Sequence, residues 1–246
     1  MIKYSIIITN YNYYKFLDKC ISSCLNQETK ISFEVLLVDD GSSSRSVEII
    51  KKYKNTSNFK IFFLNNNGLE KAANFGILKS KGKYVLRVDA DDLLASNFLN
   101  EIDNHIKRYP NYKFYYSNYH IVDENHKIIT TKFLPKFSIK EIIERGDFLA
   151  TGTVYERNII IKFGLYDTTN KNCGLENYSL ILRLILSKVK GFRINKPLFF
   201  FRLHKKSMSK KKMRKIKNFG SLLAIKTGLK FYMQNKNHPN FYEIKK

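Results

Sequence analysis

With 246 residues, the chain is long enough to bury one large α/β core or two small ones. Its 43% hydrophobic and 26% charged residues exclude an intrinsically disordered protein. A net charge of +23 points to an acidic partner, whether nucleic acid, an anionic membrane surface or a phosphorylated substrate.

The three cysteines, Cys20, Cys24 and Cys173, lack the spacing of a disulfide framework or a zinc site. No signal peptide is expected ahead of the first strand. No apolar run approaches the roughly 18 residues needed to cross a bilayer, so a reducing cytoplasm is the expected compartment.

Ser5-Ile6-Ile7-Ile8 is a continuous apolar run suited to a strand buried on both faces. After Thr9-Asn10-Tyr11-Asn12 the period becomes helical through Phe16, Leu17, Cys20, Ile21 and Cys24, which places the first two cysteines on an apolar helix face. A second buried strand, Phe33 to Val38, ends in Asp39-Asp40-Gly41-Ser42. A helix through Val47, Ile50 and Tyr53 leads to a third strand, Lys60 to Leu64. Leu69, Ala72, Ala73, Gly76 and Ile77 form the next helical stripe, with Gly82 expected to end it.

The fourth strand carries the sharpest signal. Tyr84-Val85-Leu86-Arg87-Val88 runs into Asp89-Ala90-Asp91-Asp92, an apolar run ending in three carboxylates. Such crowding suits a hard divalent cation such as Mg2+ or Mn2+, because the carboxylates otherwise repel one another. A solvated acidic turn with Asp92 capping a helix is the plainer alternative. Strand–helix alternation with short connections predicts an α/β fold with a mainly parallel central sheet and helices on both faces. The polar ends of strands one, two and four then share one sheet edge, where ligands bind in open α/β sheets.

The second half alternates less regularly. Ser96 is placed to cap a helix through Leu99, Ile102 and Ile106. Strands are expected at 113–117 and 128–132 around a polar turn, and Ser138-x-x-Glu141 is a capping-box signature. A strand at 151–155, a short helix closed by Gly164, a helix entered at Glu176 and two short strands around Pro197 follow.

The ordered stretches S-I-I-I-T-N-Y-N, F-E-V-L-L-V-D-D-G-S-S, N-G-x-x-x-A-x-N-x-G and G-K-Y-V-L-R-V-D-A-D-D together resemble glycosyltransferase family 2. The resemblance implies a GT-A fold, a nucleotide-binding α/β sandwich, and inverting transfer of a sugar from a nucleoside diphosphate with Mg2+ or Mn2+. By position it implies that Thr9, Tyr11 and Asp39 line the nucleotide pocket, with Asp39 accepting a hydrogen bond from a uracil-like base. Asp89 would lie near the ribose and Asp91 on the metal. The family often carries Arg before the Asn of the third motif. Here Ala73 precedes Asn74, and Lys71 either supplies that charge or is an exposed helix lysine.

Glu176-Asn177 stands where relatives carry Glu-Asp, and Asn177 cannot act as a base. Glu176 is the candidate base that takes the acceptor proton, its alternative role being to favour the helix N-terminus through the dipole. Asp167 is second choice. Phe201-Arg202-Leu203-His204 resembles a further family stretch, making His204 a metal ligand or phosphate contact.

The expected organisation is a catalytic domain over 1–204, with a nucleotide-binding half at 1–110 and an acceptor-side half at 111–204. A basic extension follows over 205–246. Its eight basic residues between Lys205 and Lys217, followed by an amphipathic stripe from Leu222 to Met233, suit either a membrane surface carrying a lipid-linked glycan acceptor or a solvated flank. A nucleotidyltransferase would need a Gly-rich basic loop after strand one, where Thr9-Asn10-Tyr11-Asn12 stands. A binding protein with lost catalysis is compatible with Asn177. Specific nucleic-acid recognition has charge alone in its favour.

Overall fold

A computed structural model of the chain describes residues 1–145, 149, 152–205, 219–220, 222–223 and 226–228. Four strands, β1 (Tyr4–Asn10), β2 (Phe33–Asp39), β3 (Phe59–Phe63) and β4 (Tyr84–Asp89), pair in parallel in the order β3-β2-β1-β4. They alternate with α1 (Tyr14–Leu25), α2 (Ser44–Lys51) and α3 (Leu69–Lys79). The sheet then becomes mixed. β8 (Val154–Glu156) runs antiparallel between β4 and β6 (Phe114–Val122), and β9 (Gly191–Arg202) runs parallel to β6. The two-residue β5 (Leu93–Leu94) closes one end against β9, and β7 (Ile128–Lys132) pairs with β6. This is the α/β sandwich expected, parallel through its first half.

Side-chain alternation builds the two helical layers. In β1, Ile6 and Ile8 face one core with Leu17 and Cys20 of α1 and with Leu99 and Ile102 of α4 (Phe98–Arg108). Ile7 faces the other core with Ala72, Ala73 and Ile77 of α3 and Ile181 of α7 (Glu176–Leu186). A period of two along a strand with apolar residues at every position requires both faces to be covered. The free cysteines Cys20, Cys24 and Cys173 are all buried, as a small apolar side chain would be.

Three local expectations are corrected. α3 ends at Lys79 with Ser80 as its extended C-cap (ψ 151°), and Gly82 serves instead as a close approach. A Cβ at Gly82 would stand 2.6 Å from the Ser5 nitrogen, and its N–H donates to Ser5 Oγ at 2.9 Å. α4 begins after Asn97, so Ser96 is not its cap. The segment around Pro197 is one strand of 12 residues, because register shifts at Asn118 absorb the proline that would otherwise break the ladder. By contrast, the Ser138 side of the capping box does form, with the Glu141 N–H donating to Ser138 Oγ at 3.1 Å ahead of α5 (Ile139–Arg145). The basic run beyond Lys205 and most of the stripe through Leu222 to Met233 lie outside the described residues. Among the described residues, no helix is long and apolar enough to cross a membrane.

Candidate active site at the carboxyl edge of the sheet

Because β8 is antiparallel to both its neighbours, β4 and β6 run the same way, and β9 runs with β6. The carboxyl ends of β1, β2, β4, β6 and β9 therefore share one sheet edge. Register places Thr9 beside Asp89 and Asn10 beside Asp39. Thr9 Oγ1 lies 3.4 Å from Asp89 Oδ1. The buried Asp39 carboxylate accepts from Asn10 Nδ2 at 2.6 Å and from the Ser42 N–H at 2.8 Å, so its orientation is fixed. Tyr11 is exposed just beyond β1.

The acidic turn is tied to the end of β9. His204 Nε2 lies 2.8 Å from Asp91 Oδ2, its ring packed by Phe16 and edge-on to Tyr13. Burial and the nearby Asp91, Asp89 and Asp92 push the Tyr13 phenol up. Asp92 accepts the Arg202 N–H at 3.0 Å, so it anchors strand to turn and caps no helix. Burial likewise pushes the Asp89 carboxyl up, reinforced by Asp91 and Glu176 and opposed by Arg87. Asp89 and Asp91, two residues apart beside the His204 imidazole, are a donor set into which a divalent cation fits; oxygen with imidazole nitrogen suits Mn2+.

Glu176 opens α7 and is brought to the same region by an ion pair, Arg87 Nη1 to Glu176 Oε1 at 2.8 Å. Arg87 Nε lies 3.2 Å from Asp89 Oδ1, so a single guanidinium bridges the two carboxylates. Glu176 is 5% exposed, and among the described residues its Oε2 has no hydrogen-bond partner. Asn177 is turned into the fold, accepting from Tyr155 Oη at 2.9 Å and donating to the Leu149 carbonyl. Asp167 holds its own turn, accepting from Thr169 N at 2.8 Å and Thr169 Oγ1 at 2.5 Å.

The third motif behaves differently from the strand ends. Asn74 donates to the Tyr166 carbonyl at 2.8 Å and accepts its N–H at 2.9 Å, a two-point clamp on the backbone. The clamped Tyr166 ring lies 5.3 Å from the Arg87 guanidinium, so Asn74 reaches the site through Tyr166 and Arg87. Lys71 is exposed on α3.

Several residues of the site were not anticipated. Arg87 and Arg202 are buried cations in apolar strands, and a charge inside such a run was the available signal. Asp40 accepts the N–H groups of Asn67 and Gly68, each at 2.7 Å, holding the turn into α3. Glu70 accepts the N–H groups of Asn172 and Cys173 at 2.8 and 2.7 Å. Ligand atoms of Glu70, Cys173 and Glu176 lie within 4.8 Å of one another. Both Glu70 oxygens are taken by backbone donors, Glu176 Oε1 is held by Arg87, and burial pushes the Cys173 thiol up, so this cluster suits a cation less well than Asp91 with His204.

The family model for glycosyl transferase family 2 matches residues 5–169, more than half of the chain. The chain belongs to glycosyltransferase family 2. Among curated relatives, it is 35% identical over 112 residues to the poly(ribitol-phosphate) beta-N-acetylglucosaminyltransferase TarS of Staphylococcus aureus, covering 43% of this chain and 20% of that one. It is 39% identical over 106 residues to the cholesterol galactosyltransferase of Borreliella burgdorferi, covering 43% of this chain and 29% of the relative. The matched stretch is thus less than a third of the length of either relative. The GT-A fold is shared with S. aureus TarS 1-349 solved with UDP-GlcNAc (TM-score 0.76, 19% identity, 97% of this chain, 68% of that one). A mannosyltransferase from Pyrobaculum calidifontis solved with GDP-Man and Mn2+ has the same fold (TM-score 0.71, 12% identity, 96% and 70% covered).

Proposed function

We propose that the chain transfers a hexosyl or N-acetylhexosaminyl group from a nucleoside diphosphate sugar to a hydroxyl, with inversion at the anomeric carbon. The supporting observation is the convergence of Thr9, Asp39 and Asp89 on neighbouring strand ends beside the Asp91–His204 pair. The Asp39 carboxylate, held by Asn10 and Ser42, would use a remaining lone pair to accept a ring N–H, which favours a uracil nucleotide, with Thr9 and Tyr11 completing the pocket. Asp89 faces the ribose side. Asp91 and His204 would hold Mg2+ or Mn2+, which supplies positive charge to the diphosphate leaving group.

Across the site, Arg87 holds Glu176 Oε1 and leaves Oε2 as the oxygen to take the acceptor proton. The acceptor oxygen then bonds the anomeric carbon as its bond to the diphosphate breaks, and attack from the opposite face inverts that centre. The acceptor is proposed to be a surface glycan or a lipid-linked oligosaccharide, met at the inner face of a membrane by a cytoplasmic enzyme. The catalytic domain is assigned to 1–204 and the basic extension to 205–246.

Calorimetry of the full chain with UDP, GDP and CDP in the presence of Mn2+ tests the binding half, and the reading is lost if none binds. A panel of nucleotide sugars, scored by donor hydrolysis, then identifies the sugar. One observation favours a second reading, a sugar-nucleotide-binding protein without turnover: Asn177 occupies the family's acid position and is bonded inward to Tyr155. Donor binding with no transfer across a broad acceptor panel selects that reading.

A further inference from the structure

β7 pairs with β6 alone, so among the described residues its outer edge is open. Exposed edge strands ordinarily carry charge and little apolar surface. Here Ile128 is 50% exposed, Ile129 57% and Phe133, just past the strand, 72%. Lys127, Lys132 and Lys136 are interleaved with them and exposed, and no acid occurs between Asn125 and Lys140. Apolar side chains projecting among unopposed lysines are the chemistry of an interface that inserts into lipid while its rim meets anionic headgroups. Pairing of this edge with a second copy is disfavoured, because the lysines would face one another. The turn feeding β7 lies on the site edge of the sheet, where Arg202 Nη1 donates to the Asp123 and Glu124 carbonyls, each at 3.1 Å.

We infer that the β7 edge, with Ile128, Ile129 and Phe133 inserted and Lys127, Lys132 and Lys136 at the rim, docks the protein on an anionic lipid bilayer. This surface is separate in sequence from the basic extension. It stands whether or not the chain transfers a sugar, and it would set the carboxyl edge of the sheet beside the bilayer.

The chain contains no tryptophan, so a single introduced one reports its own surroundings. The full-length Phe133→Trp variant is mixed with phosphatidylcholine vesicles with and without phosphatidylglycerol. Phe63→Trp, on the exposed end of the opposite edge strand, serves as the reference. Docking predicts a blue shift and quenching by brominated lipid for the indole at position 133 with the anionic vesicles only, and no change for the indole at position 63. Each Lys→Gln change at positions 127, 132 and 136 should weaken vesicle binding by up to about fivefold. Emission from position 133 that is unchanged by vesicles overturns the inference, even if the protein sediments with them, because another surface then binds. A shift without vesicles that follows a doubling of mass overturns it in favour of self-association. Neither measurement involves donor or turnover, so the outcome is independent of the transferase reading.

Discussion

Arg87 and Glu176, 89 residues apart in sequence, close a buried ion pair at 2.8 Å between Nη1 and Oε1. The same guanidinium reaches Asp89, so one cation holds a carboxylate from each side of the proposed reaction centre. Removing one partner of a buried pair leaves an uncompensated charge, which costs about 3–5 kcal/mol. Arg87→Ala should therefore lower the melting temperature by roughly 10 °C, read by calorimetry. Glu176→Gln keeps the shape and a hydrogen-bonding oxygen. It should lower kcat by at least about a hundredfold while leaving nucleotide affinity unchanged. Full turnover in that variant would reject Glu176 as the base.

Asp39 and Asp91 should separate by their response to metal. Asp39→Asn disturbs the group that meets the base, so it should weaken UDP binding with or without Mn2+. Asp91→Asn should remove the Mn2+-dependent part alone, and His204→Ala should reduce it. Titrating UDP into each variant at several Mn2+ concentrations reads both effects. Equal losses in the two carboxylate variants at every Mn2+ concentration would contradict the division of roles.

The acid limit of stability should involve Asp103. It is buried at the α4 face, accepting from Tyr4 Oη at 2.8 Å and pairing with Lys107 at 2.9 Å and with Lys3. Burial raises its carboxyl, but the bonds from Lys3, Lys107 and Tyr4 outweigh that and hold it below the usual carboxylate range. A folded-state pKa below the unfolded value of about 3.9 contributes stability that is present above that value and lost as pH falls through the folded one. Tyr4 has the opposite sign: burial and Asp103 push its phenol up, so its contribution is present below about 10 and lost as pH rises further. Melting temperatures of wild type and Asp103→Asn between acid and neutral pH should converge at the acid end.

Gly76 lets α3 pack closely on the sheet. An added Cβ would lie 2.5 Å from Ile7 Cγ2 and 3.2 Å from Val38 Cγ2. Alanine gains about 1 kcal/mol in helix propensity, while overpacking against a stiff β-branched neighbour costs about 1–3 kcal/mol. Gly76→Ala should thus be destabilising by denaturant titration. Ile7→Ala, which removes the obstructing methyl, should relieve part of the cost in the double variant.

The first half of the fold was legible because its information is local. Apolar runs ending in Asp39 and Asp89 define strands and their polar ends, and parallel order follows from alternation with helices. The insertion of β8 between β4 and β6 was not legible, since it depends on pairing between residues far apart in sequence. Arg87 and Arg202 read as ordinary charges: their place in apolar runs hints at burial, but sequence does not name the distant partners that hold a buried guanidinium. Asn74 illustrates the remaining limit. Its motif position marked it for the nucleotide, whereas its hydrogen bonds go to the backbone of Tyr166.

Arg202 has a consequence for communication across the molecule. Its side chain is 1% exposed, with Nε on the Asp91 carbonyl, Nη1 on the hairpin turn, Nη2 at His126 and the ring of Phe16 against its face. The acidic turn and the β6–β7 hairpin are therefore joined through one guanidinium fork. If the hairpin rests on a surface and donor binding shifts the acidic turn that Arg202 ties to it, the free energy of that contact is linked to donor affinity. By reciprocity, a bound donor alters the grip on the surface by the same factor.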